Sequence, residues 1–246
     1  MNVFTKSNMK LALSLLIMTA AGVTVGGPAA AGVCDAPFMH EQGRVELTGS
    51  GVINLGAQLS FSQVKKTGPD QCQARVTGVT RFGFAALPPR NSNIDYVMQV
   101  NQGKASFARV EAGGTEPLEG DFDLRMLGLF SYGEPITRSG QTFPAMDFKI
   151  SADSKLGAAP VIVRTGEKTV GDRQQIDTAA GAKSCWPIRY QRVIEATQAS
   201  FNGIVLPIPG MTSAVTDWYC PELNMVMKQQ SVQSGVGSQV EVTLLE

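Results

Sequence analysis

One histidine, four cysteines and no C-x-x-C pair leave this 246-residue chain short of the side chains that most enzyme chemistry uses. His40 is the single imidazole, so a mechanism needing that base has nowhere else to turn, and its place near the expected mature start reads as solvated. Zinc held by nitrogen and sulfur ligands is excluded by the same scarcity, and a dithiol oxidoreductase by the missing C-x-x-C. There is no G-x-S-x-G elbow and no G-x-G-x-x-G or Walker pattern. Charge is sparse at 17%, and the longest basic run is Lys65-Lys66, which excludes nucleic acid or a membrane surface held by a basic stripe.

One apolar run stands out, and it is short. Leu11 to Met18 follows Lys6 and Lys10 and precedes Gly26-Gly-Pro-Ala-Ala-Ala31, where Ala29 and Ala31 suit an A-x-A cleavage site. Residues 1–31 therefore read as a signal peptide, with 32–246 as one exported antiparallel β domain, placed in the periplasm. Lipidation at Cys34 is the alternative, disfavoured by Val33 at a position where a small residue is expected. Beyond residue 31 there remain 19 basic and 21 acidic side chains, and no further run reaches spanning length. The mature chain is expected to be soluble and not membrane-spanning.

Period-two alternation is what the chain has in quantity. Ile53, Leu55, Ala57, Leu59 and Phe61 share one strand face, and the pattern returns at Ile94 to Val100, Phe122 to Met126 and Met146 to Ile150. Five back strands follow: 188–199, 201–208, 215–219, 224–230 and 239–245. Turn clusters such as Thr67-Gly-Pro-Asp70 and Ala112-Gly-Gly-Thr115 separate such runs. The expected fold is mainly β, a curved antiparallel sheet of about a dozen strands forming a half-barrel or incomplete barrel with little helix. A turn or two of helix is expected near 157–159 or 172–178, and a hinge at Thr178-Ala-Ala-Gly-Ala182.

Four cysteines in an exported chain read as a disulfide framework with three possible connectivities. Cys34 with Cys72 and Cys185 with Cys220 is preferred, each bridge closing a loop of about 35 to 40 residues and contributing about 3 to 4 kcal/mol.

Three further features carry candidate chemistry. Ser62-Gln-Val-Lys65 and Lys66-Thr67-Gly68 match the S-x-x-K and K-T-G strings of penicillin-interacting enzymes, but there the serine opens a helix and K-T-G lies on a distant strand. Here the two overlap in one strand and its turn. Glu111, Glu116, Glu119, Asp121 and Asp123 form an oxygen-rich cluster suited to calcium or to paired glycosidase carboxylates, and equally to a solvated strand face. Gly203 to Gly210 is apolar, and Pro207 and Pro209 force it to a sheet edge or loop, packed on the core or lining a groove.

Gly181-Ala-Lys-Ser-Cys-Trp-Pro-Ile-Arg-Tyr190, followed by Asp217-Trp-Tyr-Cys-Pro-Glu-Leu-Asn-Met-Val-Met-Lys228, resembles a family of bacterial envelope proteins of unknown function with a C-terminal W-Y-x-P motif. The resemblance covers about residues 180–246 and is similar in turn to half-barrel lipoprotein carriers of the LolA and LppX type. It implies an apolar concave face, with Trp218, Leu206, Ile208, Met225 and Met227 as candidate groove-lining residues. Trp218 is expected on the core side and Tyr219 partly exposed, with reversed parity as the alternative.

These residues point to an exported, non-enzymatic protein binding an apolar or amphipathic envelope component, a lipid or lipoprotein, on a concave sheet face. The alternative is a scaffold supporting envelope integrity through protein contacts. A carbohydrate-active enzyme built on the acidic cluster comes third. No catalytic residue, metal or cofactor is expected.

Overall fold

The computed structural model describes residues 32–51, 53–68, 70–84, 90–102, 104–117, 132, 134–150, 161–201 and 204–246. The front is an up-and-down run of six strands: β1 (Arg44–Ser50), β2 (Ile53–Gly68), β3 (Gln71–Phe84), β4 (Arg90–Asn101), β5 (Lys104–Glu111) and β6 (Gly114–Pro117). Short strands follow as β7 (Thr142–Phe143), β8 (Met146–Ile150), β9 (Val161–Thr165), β10 (Lys168–Val170) and β11 (Gln174–Thr178). The back consists of β12 (Gly181–Ile194), β13 (Thr197–Phe201), β14 (Ile204–Ile208), β15 (Met211–Cys220), β16 (Met225–Gln233) and β17 (Val236–Leu245).

Among the described residues, fifteen strands join one antiparallel sheet that does not close into a barrel, with the order β6-β5-β4-β3-β2-β1-β17-β16-β15-β12-β10-β7. The expected incomplete barrel is what the chain forms. Along the far side of β12 lie three short partners in succession, β11, β10 and β9, with β8 beyond β9. β13 and β14 pair only with each other, as a ribbon continuing from β12 and β15. The one described helical piece is the 3-10 turn Val33–Asp35.

The alternation is the reason for the register. On β1 to β5, Val45 and Leu47, Leu55 to Phe61, Ala74 and Val76, Ile94 to Val100 and Phe107 are buried on one face. That face continues across β17 through Val240 and Val242 and across β16 through Met227. A slip of one residue anywhere along it would expose the whole apolar set of that strand. Gly78 lies opposite both Leu59 and Ile94, and a Cβ there would stand 1.9 Å from the Gln58 carbonyl oxygen, so only glycine admits this approach. Bulges in β2 after Ser62 and between Trp218 and Tyr219 bend the sheet locally.

Among the described residues, the inner face is packed by the chain's own side chains. Val33, Cys34, Ala36, Phe38 and Met39 lie in the same buried cluster as Phe61, Met98 and Met227. Phe38 packs on Phe61 with ring centroids 4.6 Å apart, and the Gln42 N–H donates to the Phe61 carbonyl at 3.0 Å. Burying two phenylalanines this completely contributes about 1.5 to 3 kcal/mol each. A second cluster of Ile136, Phe143, Val170, Trp186 and Ile188 covers the back sheet.

Several expectations are corrected. Residues 172–178 form no helix: 171–173 are irregular and 174–178 are β11, whose register with β12 satisfies the backbone in a hairpin. The supposed hinge at 178–182 is that hairpin's tight turn, closed by the Thr178 hydroxyl donating to the Gly181 carbonyl at 2.7 Å, with Gly181 at φ +86°. Among the described residues there are seventeen strands where about a dozen were expected, because pieces as short as β7 and β10 carry no readable period. The expected strand over 188–199 breaks at Glu195 and Ala196. Residues 122–126 and 157–159 lie outside the described residues.

Candidate functional site

The back sheet buries an ionic cluster. On β15 the odd positions Ser213, Val215 and Asp217 point inward, so the alternation that buries Val215 also buries a carboxylate. Asp217 is 0% exposed, and Gln229 on β16 is its register partner. Gln229 Nε2 donates to Asp217 Oδ1 at 2.7 Å, and the Tyr132 hydroxyl donates to Oδ2 at 2.6 Å. The Tyr190 hydroxyl on β12 donates to Oδ1 at 3.4 Å and accepts from Gln229 Nε2 at 3.4 Å. Arg192 donates to Gln229 Oε1 at 3.1 Å. Lys168 of β10 lies 5.1 Å from the Tyr132 ring centroid and 4.8 Å from that of Tyr190.

Burial sets the titration of this group. It pushes the Asp217 carboxyl up, against the opposing pull of Tyr132, Lys168, Gln229 and Arg192. Tyr132 and Tyr190 are pushed well above the ordinary phenol value, by burial first and the Asp217 charge second. Lys168 is lowered by burial, with Asp217 opposing. A carboxylate, two phenols and an amine within reach of one another are acid–base chemistry in an open cleft. Here the carboxylate is sealed off, and each contact ties one element to another: β10, β12, β15, β16 and the segment at Tyr132. A buried charge is tolerated on such terms when it is paired and fully hydrogen-bonded.

Sequence reasoning missed this cluster, although a signal was present: Val215-x-Asp217-x-Tyr219 and Tyr190-x-Arg192 place charge on core-facing strand positions. Of the candidate groove residues, the structure describes the side chains of Trp218, Met225 and Met227. Met225 and Met227 are each 1% exposed and packed in the front core, so they line no open groove among the described residues. Leu206 and Ile208 belong to the β13–β14 ribbon, off the main sheet, and their side chains lie outside the described set. The W-Y parity is the reversed one: Tyr219 faces inward against Tyr132, ring centroids 6.0 Å apart, and Trp218 lies half-buried on the outer face. The reason is Asp217, whose inward orientation fixes its neighbours in alternation.

Cys34 is joined to Cys72 and Cys185 to Cys220. The second bridge links Cys185, inside β12, to Cys220, the last residue of β15, one position beyond the paired Trp186 and Tyr219. His40 is exposed, with Nδ1 2.9 Å from the Glu41 carbonyl oxygen. Ser62, Lys65 and Lys66 all lie on β2, without the helix-and-strand geometry of penicillin-interacting enzymes. Glu111 and Glu116 are exposed at the β5–β6 hairpin, while Glu119, Asp121 and Asp123 lie outside the described residues. Among the described residues, no three His, Cys, Asp or Glu side chains group so as to hold a metal ion. A recess of about 400 Å³, lined by Gly68, Asp70, Gln71 and Gln102, opens at the front turns.

The geometry defines an open antiparallel β-sheet protein whose inner face, among the described residues, is packed with its own side chains. No family profile matches the chain, and no curated protein does. Among solved structures it is similar to an inferred exported protein with a YmcC-like fold from Bacteroides fragilis, at 11% identity and TM-score 0.49, covering 84% of this chain and 96% of that one. An inferred lipoprotein from Parabacteroides distasonis is similar at 12% identity and TM-score 0.47, covering 86% and 98%. A β-barrel-like protein of the domain of unknown function DUF1849 from Brucella abortus is similar at 12% identity and TM-score 0.33, covering 84% and 98%. At such identities and scores these likenesses bear on neither activity nor ligand. They lend no support to the W-Y-x-P family or to a LolA and LppX relationship.

Proposed function

We propose that this chain is an exported, non-enzymatic scaffold of the cell envelope that works through contacts on its outer surface. The observation that supports the proposal is the packing of the described inner face: Phe38 and Met39 lie at 0% and 2% exposure, and Met225 and Met227 at 1%, where a lipid carrier needs room for acyl chains. Two disulfides support an extracytoplasmic location, since such bridges persist where the surroundings oxidise. The apolar run at Leu11 to Met18 supports export. Lipid carriage on the concave face is the reading this packing disfavours.

Native mass spectrometry of the protein taken from its own envelope fraction tests the choice. A scaffold arrives at the mass of the oxidised polypeptide, and photo-crosslinkers placed at the exposed Val232 and Val236 trap an envelope protein partner. A stoichiometric lipid adduct overturns the proposal in favour of carriage.

A further inference from the structure

We infer that the outer face of the back sheet, at Trp218, docks a neutral N-acetylated glycan strand. The inference goes beyond the scaffold reading and stands without it. Trp218 is one of two tryptophans, and the other, Trp186, is 8% exposed in the inner core. Alternation with Asp217 sends Trp218 to the outer face, where its indole Nε1 donates to Gln230 Oε1 at 3.1 Å. Gln230 Nε2 donates to Gln239 Oε1 at 3.2 Å, and Gln239 Nε2 donates to Glu241 Oε2 at 2.9 Å. An indole, two amides and a carboxylate thus stand in one hydrogen-bonded row across β15, β16 and β17. Strand spacing gives that row a length of roughly 10 Å.

The row differs from an ordinary wet strand face in being ordered. Exposed glutamines sample many rotamers, and immobilising such a side chain on binding costs about 0.5 to 1.5 kcal/mol. Here each amide is already held by its neighbour. Each spends one N–H and one lone pair inside the row and keeps a second of each for a ligand. An acetamido group presents the matching carbonyl and N–H, while the indole face offers an apolar plate for the C–H face of a pyranose ring. Lys228, register partner of both Trp218 and Glu241, balances the carboxylate, so the row is neutral and complements an uncharged glycan better than an ion.

The test uses the full disulfide-bonded protein with chitohexaose, an uncharged β-1,4-linked N-acetylglucosamine oligomer, and in parallel with purified peptidoglycan sacculi. Because Trp186 is buried, a change in tryptophan fluorescence on adding chitohexaose reports Trp218. Both probes are expected to bind, with little dependence on salt. Trp218→Ala should weaken chitohexaose binding at least about tenfold, as loss of an aromatic anchor does. Gln239→Ala, which leaves the indole in place, should weaken it several-fold, with an unchanged urea midpoint showing that the fold persists. The inference is overturned if chitohexaose fails to bind, if only sacculi bind and the peptide stems are therefore the ligand, or if folded Trp218→Ala or Gln239→Ala binds as well as the parent.

Discussion

Asp217, Tyr132 and Tyr190 make the interior of the back sheet sensitive to alkali. Both phenols stay protonated in the folded protein well above their ordinary 10.0, whereas in the unfolded chain they ionise near it. Above that value the folded state holds protons that the unfolded state has released, so stability falls as pH rises, by about 1.4 kcal/mol per pH unit for each such tyrosine. Lys168 has the opposite sign: its lowered value means that the folded state sheds its proton first, so stability rises with pH until the ordinary 10.5 is passed and then levels off. Urea unfolding at intervals between about pH 10 and 12 is therefore expected to show a steep loss that the double variant Tyr132→Phe, Tyr190→Phe largely flattens. An equally steep loss in that variant would mean that other groups govern the alkaline limit. The signal in Val215-x-Asp217-x-Tyr219 was easy to miss, because an aspartate next to Trp218 looks like any strand-face acid until the strand's inward parity is known.

At the scale of elements, the two bridges do different work. Cys185–Cys220 fastens β12 to β15, strands already paired along nine register positions, with Cα atoms 4.2 Å apart. Cys34–Cys72 fastens a segment with one 3-10 turn and few ladder bonds onto β3, and so holds Phe38 and Met39 in the front core. Removing either bridge as a serine pair is expected to cost about 3 to 4 kcal/mol in urea unfolding, from the freed loop in the unfolded chain. Native-state chymotrypsin separates them: cleavage after Phe38 should accelerate in Cys34→Ser, Cys72→Ser and remain slow in Cys185→Ser, Cys220→Ser. Equal protection in both would mean that the plug holds without its bridge. Cysteine spacing pointed to these pairs, and alternation exposed strands such as β2 and β4. The same alternation was silent on β7 and β10, which are too short to show a period and exist because β12 offers β10 an edge and β10 offers one to β7.

For the whole molecule the decisive contact is the seam of β1 with β17, where Val45 meets Leu245 and the Arg44 and Glu246 backbones exchange hydrogen bonds at 2.8 and 3.0 Å. It joins the ends of the described chain and fuses front and back strands into one sheet. Such non-local pairing places folding in the slow regime of milliseconds to seconds. Deleting residues 236–246 removes Val240 and Val242 from the core and leaves β1 and β16 with bare edges. The truncated chain is expected to lose the single cooperative urea transition and the near-ultraviolet dichroism of the parent. Retention of both would show that front and back stand independently. The sequence by itself determined the β class, the exclusion of common catalytic motifs and the alternating faces, because period-two burial and cysteine count are local properties. Only the tertiary structure decided that Val33 to Met39 pack into the inner face, that Asp217 lies inside and Trp218 outside, and that β1 closes on β17. Those outcomes depend on which distant segments meet, and no local pattern records that.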